Sequence, residues 1–113
     1  MNSTIGFLGD GMLGRRVDAE IPHRTPESFW GTTLPILRSC DAVTANLECA
    51  ITTFKQRWVK TPKLFYFGVR PAATSILRVA NVRCVSLANN HILDFCELAK
   101  KVARLRPIAV VKG

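Results

Sequence analysis

Short apolar segments alternate with segments of helical pattern along most of this 113-residue chain. Such alternation is typical of an α/β protein, and we predict a mainly parallel sheet flanked by helices. The predicted strands are residues 4–8, 41–48, 63–68 and 83–87, followed by a last apolar segment at 107–111. The predicted helices are residues 28–39, 71–80 and 94–104, and Pro35 must break or re-start the first of them.

Polar side chains follow three of the predicted strands, each at the point where the strand ends. Because the carboxyl ends of parallel strands lie along one edge of a sheet, we expect these groups to converge there. Two carboxylates, an amide oxygen and an imidazole suit a hard or borderline divalent cation. Any one of these clusters is equally an ordinary turn or a solvated strand end, so the prediction rests on their recurrence. The residues are Asp10, Asn46, Glu48, Asn90 and His91.

The turn after residues 83–87 carries the densest group of polar side chains. Asn89 and Asn90 tolerate the backbone conformations that such a turn needs. His91 is a candidate metal ligand or acid–base group near neutral pH, although a single histidine is often only a surface residue. Asp94 would either orient that imidazole or cap the following helix.

The chain is strongly basic, with 16 Lys and Arg against 8 Asp and Glu and a formal net charge of +8. This charge favours anionic partners. One interpretation is a surface that binds an acidic polymer through Arg15, Arg16, Lys100 and Lys101, and the other is a solvated basic face. Nucleic acid is the least supported partner, because no aromatic residues are interleaved with these charges for base stacking.

Four cysteines without any Cys-x-x-Cys spacing argue against zinc-ribbon and thioredoxin-type sites, and we expect reduced thiols. The apolar stretches are too short to cross a bilayer, and the N-terminal residues do not form a signal peptide. From this stretch alone we expect a cytoplasmic protein, while membrane association of a longer parent protein stays open.

Three motifs together resemble one family. Gly9-Asp10, then Asn46-Leu47-Glu48 preceded by Asp41, then residues 86–91 with Asp94, are similar to motifs of the CapA family of capsule and poly-γ-glutamate synthesis proteins. That family is related to the calcineurin-like metallophosphoesterases. The similarity covers residues 4–97 approximately, and the order and separation of the motifs are specific.

The resemblance implies a partial, truncated metallophosphoesterase-like fold that binds divalent metal ions, with Mn, Zn or Mg as candidates. It implies an anionic polymer or phosphorylated substrate, and other capsule-synthesis proteins as further partners. His91 would support the scissile phosphate, and Asp94 would orient the imidazole of His91. The implied metal ligands are Asp10, Glu48 and Asn90, and the substrate-binding candidates are Asn46, Arg15 and Arg16.

The resemblance also has limits. The family has glycine where this chain has Cys96, and its later histidine motifs have no counterpart, since His23 and His91 are the only histidines. We therefore assign residues 1–97 to the N-terminal part of a CapA-like domain and residues 98–113 to a divergent basic tail. A frameshift or premature stop would produce such a change in composition and loss of motifs after Glu97. With half a ligand shell, such a chain is expected to bind metal weakly and to be inactive alone.

Overall fold

The computed structural model describes residues 2–51, 68–89 and 91, together with the backbone of residues 109–111. In chain order the strands are β1 Ile5–Gly11, β2 Ala42–Leu47, β3 Ala50–Ile51, β4 Gly68–Val69, β5 Val82–Ser86 and β6 Ala109–Val111. A four-stranded sheet has the order β1-β2-β5-β6, and β3 pairs with β4 separately. Every pairing is parallel. The predicted α/β class with a parallel sheet is confirmed.

Helices in the described ranges are short. They are α1 Arg16–Glu20, α2 Leu34–Ser39 and α3 Ala73–Val79, with 3-10 turns at Ile21–His23, Pro26–Phe29 and Gly31–Thr33. Of the helical pattern predicted over residues 28–39, only the part re-started at Pro35 is α-helix, because Gly31 has a positive φ of 55° that an α-helix cannot continue through. Pro35 lies in the first turn of α2, so it re-starts the helix there.

The hydrophobic core lies on one face of the four-stranded sheet, which we call the packed face. Buried and half-buried residues alternate along β2, as expected for a strand with one face in the core. The packed face meets α2 and α3 in one cluster that includes Leu34, Leu37, Val43, Leu47, Ala73, Leu77, Val82 and Val85. On the opposite face, Ile5 and Phe7 of β1 are 57% and 80% exposed.

At the amino ends of the strands, polar side chains fix the backbone. Asn81 has a φ of 61° and follows the end of α3, and its Nδ2 donates to the carbonyl oxygen of Cys40 at 2.7 Å. The amide of Val43 donates to the carbonyl oxygen of Asn81 at 3.1 Å. The amide of Thr4 donates to Oδ2 of Asp41 at 2.6 Å. These bonds set where β2 and β5 begin.

β1 is longer than the sequence pattern indicates. The prediction that the strand ends before Gly9 is wrong, because Asp10 and Gly11 still pair with Asn46 and Leu47 of β2. The register shifts between Phe7 and Asp10, so β1 contains a bulge with one extra residue. Asp10 therefore lies inside a paired strand and not in a loop beyond it.

Some predictions concern residues outside the described ranges. The helix at 94–104, the basic residues Lys100 and Lys101, and residues 63–67 of the third predicted strand belong to this group. Gly68 lies in β4, and the apolar segment 107–111 contains β6. In the described part of the chain, Cys40, Cys49 and Cys84 are free thiols. No helix there has the length and apolar character needed to cross a membrane.

Candidate functional site

The bulge in β1 determines where the first carboxylate lies. Without it, strict two-residue alternation would place Gly9 opposite Asn46 and would turn Asp10 toward the packed face. With one extra residue, Asp10 pairs with Asn46, and Asn46 in turn pairs with Ser86 on its other side. The carboxyl ends of β1, β2 and β5 are thus brought side by side, as predicted from the sequence.

Asn46 is the centre of the polar contacts at this edge. Its Nδ2 donates to Oδ1 of Asp10 at 2.8 Å and to Oε1 of Glu48 at 2.9 Å. Asn46 and Glu48 are two residues apart and face the same site, as the period of a strand predicts. The amide of Glu48 donates to the carbonyl oxygen of Gly11 at 2.9 Å, which holds Glu48 beside the end of β1.

Asn89 is a further member of the site, and the sequence indicated it only as a turn residue. Its Nδ2 donates to Oδ1 of Asn46 at 3.0 Å and to the carbonyl oxygen of Leu47 at 2.8 Å. Its Oδ1 accepts a hydrogen bond from the amide of His91 at 3.0 Å. An Asn side chain that accepts from the amide two residues on forms an Asx turn, which is the signal that an Asn-x-His sequence offers.

His91 lies next to Glu48. Its Nε2 is 3.8 Å from Oε2 of Glu48, and the two side chains are 13% and 22% exposed. The pair becomes an ion pair when the imidazole is protonated. The imidazole therefore extends the line of polar groups that runs from Asp10 through Asn46 to Glu48. Asn90 and Asp94, the other two predicted site residues of this motif, lie outside the described ranges.

The segment after β1 is held close to β4. A Cβ on Gly14 would lie 2.8 Å from the carbonyl oxygen of Gly68, so this approach requires glycine. Asp18 of α1 accepts hydrogen bonds from the amide and the guanidinium of Arg70 at 2.8, 3.0 and 3.3 Å. Burial raises the pKa of Asp18, but the bonds from Arg70 outweigh it and hold that pKa below its usual value.

Arg15 and Arg16, the predicted substrate-binding pair, are exposed at the start of α1. Arg15 has a φ of 57°, in the left-handed region that non-glycine residues seldom adopt. Both residues follow the strand that carries Asp10, and the contacts of Gly14 and Asp18 fix the segment on either side of them. Both residues are exposed, and they lie on the chain segment that leads away from the site.

Cys49 follows Glu48 but does not share its environment. The thiol is buried, and burial raises its pKa to about 11, with the carboxylates of Asp18 and Glu48 adding to the effect. A buried thiol that stays protonated is a poor metal ligand and a poor nucleophile. The polar edge of the sheet therefore relies on oxygen and imidazole donors.

These donors fit a divalent cation in type. Two carboxylates converge on one nitrogen atom of Asn46, and an imidazole lies beside the second carboxylate. Carboxylate oxygens suit Mg²⁺ and Mn²⁺, and the imidazole extends the choice to Zn²⁺. Within the described ranges, however, no group of three or more His, Cys, Asp or Glu side chains is placed to hold a metal ion.

Comparison with known proteins identifies relatives of this chain. The family model described as "Bacterial capsule synthesis protein PGA_cap" matches residues 4–101, which include every predicted site residue from Asp10 to Asp94. PGA biosynthesis protein CapA of Bacillus subtilis (strain 168) is 27% identical over 89 residues, which is 79% of this chain and 23% of that protein. Capsule biosynthesis protein CapA of Bacillus anthracis is 25% identical over 93 residues, covering 81% and 23%. The matched region thus spans about a quarter of each curated relative.

Proposed function

Because the chain belongs to the bacterial capsule synthesis protein PGA_cap family, we propose that it is part of a CapA-like protein of capsule or poly-γ-glutamate biosynthesis with a metallophosphoesterase-type metal site. One observation carries this proposal. The amide of Asn46 joins the carboxylates of Asp10 and Glu48 at the carboxyl edge of the parallel sheet, with His91 beside Glu48. Ligands in open α/β sheets bind at this edge.

In this proposal Asp10 and Glu48 hold the cation, and Asn90 is a further ligand. A bound divalent cation would neutralise charge on a phosphoryl group and activate a water molecule. The imidazole of His91 donates a hydrogen bond to the anionic substrate, and the turn at Asn89 sets its position through the backbone. Asp94 keeps its proposed role of orienting His91, and Asn46 borders the substrate.

The test is calorimetric titration of the purified chain with Mn²⁺ and with Zn²⁺. Asp10→Asn and Glu48→Gln are expected to weaken binding by roughly tenfold or more, since each removes a charged ligand. Asp41→Asn is the matched control, because Asp41 is a carboxylate of the same sheet that accepts a backbone hydrogen bond at the amino edge. Equal affinities for Asp10→Asn and Asp41→Asn would contradict the proposal.

The two histidines offer a second matched pair. His91→Ala is expected to weaken the binding of inorganic phosphate to the metal-loaded chain and to leave the affinity for Mn²⁺ and Zn²⁺ largely unchanged, because in this proposal the imidazole donates to the anion and does not hold the cation. His23→Ala is expected to change neither affinity, since His23 is exposed in a 3-10 turn. The same loss of phosphate binding in both variants would show that phosphate binds to exposed histidines and would contradict the assigned role of His91.

A second candidate function is a non-catalytic accessory that binds an acidic polymer. The exposure of Arg15 and Arg16 and the net charge of +8 favour it. This function predicts binding to poly-γ-glutamate that weakens with salt and with Arg15→Ala and Arg16→Ala, or with alanine at Lys100 and Lys101. It predicts no effect of Asp10→Asn. Competition by duplex DNA at equal charge would identify a general polyanion surface.

A further inference from the structure

The side-chain amide of Asn46 has its hydrogen-bonding groups engaged, and its orientation follows from its neighbours. Nδ2 of Asn89 is a donor and faces one side of the amide at 3.0 Å, so the atom of Asn46 on that side must be the oxygen. The carboxylates of Asp10 and Glu48 accept from the other side, so that side must be the nitrogen. Both neighbours require the same orientation.

Nδ2 of Asn46 lies at the point on which the two carboxylates converge. It is 2.8 Å from an oxygen of Asp10 and 2.9 Å from an oxygen of Glu48. Cation–oxygen distances are about 2.0–2.6 Å, so a cation held by these oxygens would have Nδ2 as a close neighbour. An amide N–H₂ group only donates hydrogen bonds and cannot act as a ligand. In its present orientation the Asn46 amide therefore directs a donor toward a cation that requires acceptors.

Turning the amide over would exchange the positions of its nitrogen and its oxygen and would remove this mismatch. If the Asn46 side chain turns over, its oxygen faces the carboxylates and becomes a neutral ligand of the kind that Mg²⁺ and Ca²⁺ accept. Its N–H₂ group then faces the N–H₂ group of Asn89, and that hydrogen bond is lost. Asn89 also binds the carbonyl of Leu47 and the amide of His91. Loss of its bond to Asn46 would therefore change the position of the turn that carries His91.

We propose that Asn46 is an amide latch, which holds Asp10 and Glu48 together without cation and turns over when a divalent cation binds between them, releasing Asn89. This proposal rests on the proposed function, because it requires a cation at these carboxylates. The latch makes Asn46 and Asn89 positioning residues for the cation, and it connects cation binding to the position of the His91 backbone.

The direct test follows the side-chain amide signals of ¹⁵N-labelled protein by NMR during titration with Mg²⁺ and then Zn²⁺, which are both diamagnetic. The N–H₂ signals of Asn46 and Asn89, assigned from the spectra of Asn46→Asp and Asn89→Ala, are expected to shift together along one binding curve. The N–H₂ signal of Asn81 is the internal control, because this amide binds the carbonyl of Cys40 at the amino edge.

Three outcomes are distinct. Joint shifts of Asn46 and Asn89 support the latch. Binding that shifts backbone signals of Asp10 and Glu48 but leaves the Asn46 amide unchanged overturns the latch and leaves the proposed function standing. If titration gives no heat and no shift of the Asp10 and Glu48 signals, no cation binds there, and both the latch and the proposed function are overturned.

Asn89→Ala gives an independent test, because the latch predicts a higher affinity for Mg²⁺ together with a lower midpoint of thermal unfolding. Without Asn89 the Asn46 amide turns more easily, so Mg²⁺ is expected to bind about threefold to tenfold more tightly, the factor that one hydrogen bond supplies. The midpoint of thermal unfolding without cation is expected to fall. If Asn89 is only structural, affinity is unchanged or weaker, and that result contradicts the latch.

Discussion

The two edges of the parallel sheet use the same residue types for different purposes. At the amino edge, Asp41 and Asn81 bind backbone groups, the amide of Thr4 and the carbonyl of Cys40. At the carboxyl edge, Asp10 and Asn46 bind each other, and Glu48 and Asn89 continue the line of side chains. At the amino edge these side chains fix backbone groups of neighbouring segments, whereas at the carboxyl edge they are joined mainly to one another, although Asn89 also binds the carbonyl of Leu47 and the amide of His91.

This difference shows why residue type alone does not identify a site. Asp41 is part of the second motif as much as Glu48 is, yet its carboxylate is engaged by Thr4 at the start of β2. Asp10 and Glu48 instead share a single side-chain donor, Nδ2 of Asn46. Position along the strand separates the two uses, because only the carboxyl ends face the open edge of an α/β sheet.

The largest effect is expected from a residue whose side chain supports the carboxyl edge by packing. Leu47 lies between Asn46 and Glu48, and its side chain is 1% exposed on the packed face. Leu47→Ala is expected to lower the free energy of unfolding by about 2–5 kcal/mol, as measured by urea denaturation. Phe7→Ala, on the opposite face where the ring is 80% exposed, is the control and should stay within about 0.5 kcal/mol.

The next effect isolates the amino edge. Asn81→Ala removes the bond to Cys40 and leaves, at a φ of 61°, a residue whose side chain cannot form hydrogen bonds. The free energy of unfolding is expected to fall by about 2 kcal/mol. Asn81→Gly keeps the backbone conformation and should cost roughly half as much. Cation affinity of the folded protein should be unchanged in both. An affinity loss equal to that of Asp10→Asn would remove the distinction between the edges.

The smallest effect concerns a structural contact on the carboxyl side. Arg70 holds the pKa of Asp18 below its usual value, so the native state binds fewer protons there than the unfolded chain. The stabilisation is complete well above the unfolded value of 3.8 and is lost as pH falls through the native pKa. Asp18→Asn should therefore flatten the acid limb of stability against pH in thermal unfolding. An unchanged acid limb would contradict this assignment.

The sequence predicted the parts of the fold that depend on local pattern. Apolar runs located β2 and β5, and the parallel arrangement followed from the intervening helical patterns. The two-residue spacing of Asn46 and Glu48 predicted a shared face, and Nδ2 of Asn46 donates to Oε1 of Glu48. The carboxyl ends of three strands predicted that Asp10 would join them, which the contact with Asn46 confirms.

Other features could not be read from local pattern, because they arise from pairing across the sheet. The extra residue in β1 is defined only by its register against β2, and it reverses which face Asp10 occupies. The sequence indicates Asn89 only as a turn residue, because its bonds to Asn46 and Leu47 span 43 and 42 residues and leave no local pattern. Gly31 divided the predicted helix over residues 28–39 through its backbone conformation.

The contacts of Asn46 also bear on the order of events in folding. They connect Asn46 to residues 36 and 43 positions away in the chain, and parallel strands cannot be joined by a tight hairpin. Pairings of such long sequence separation form slowly, because loop closure must precede them. The cluster around Asn46 can therefore be completed only after β1, β2 and β5 have paired. In a refolding experiment, recovery of cation binding should not precede recovery of the native circular dichroism.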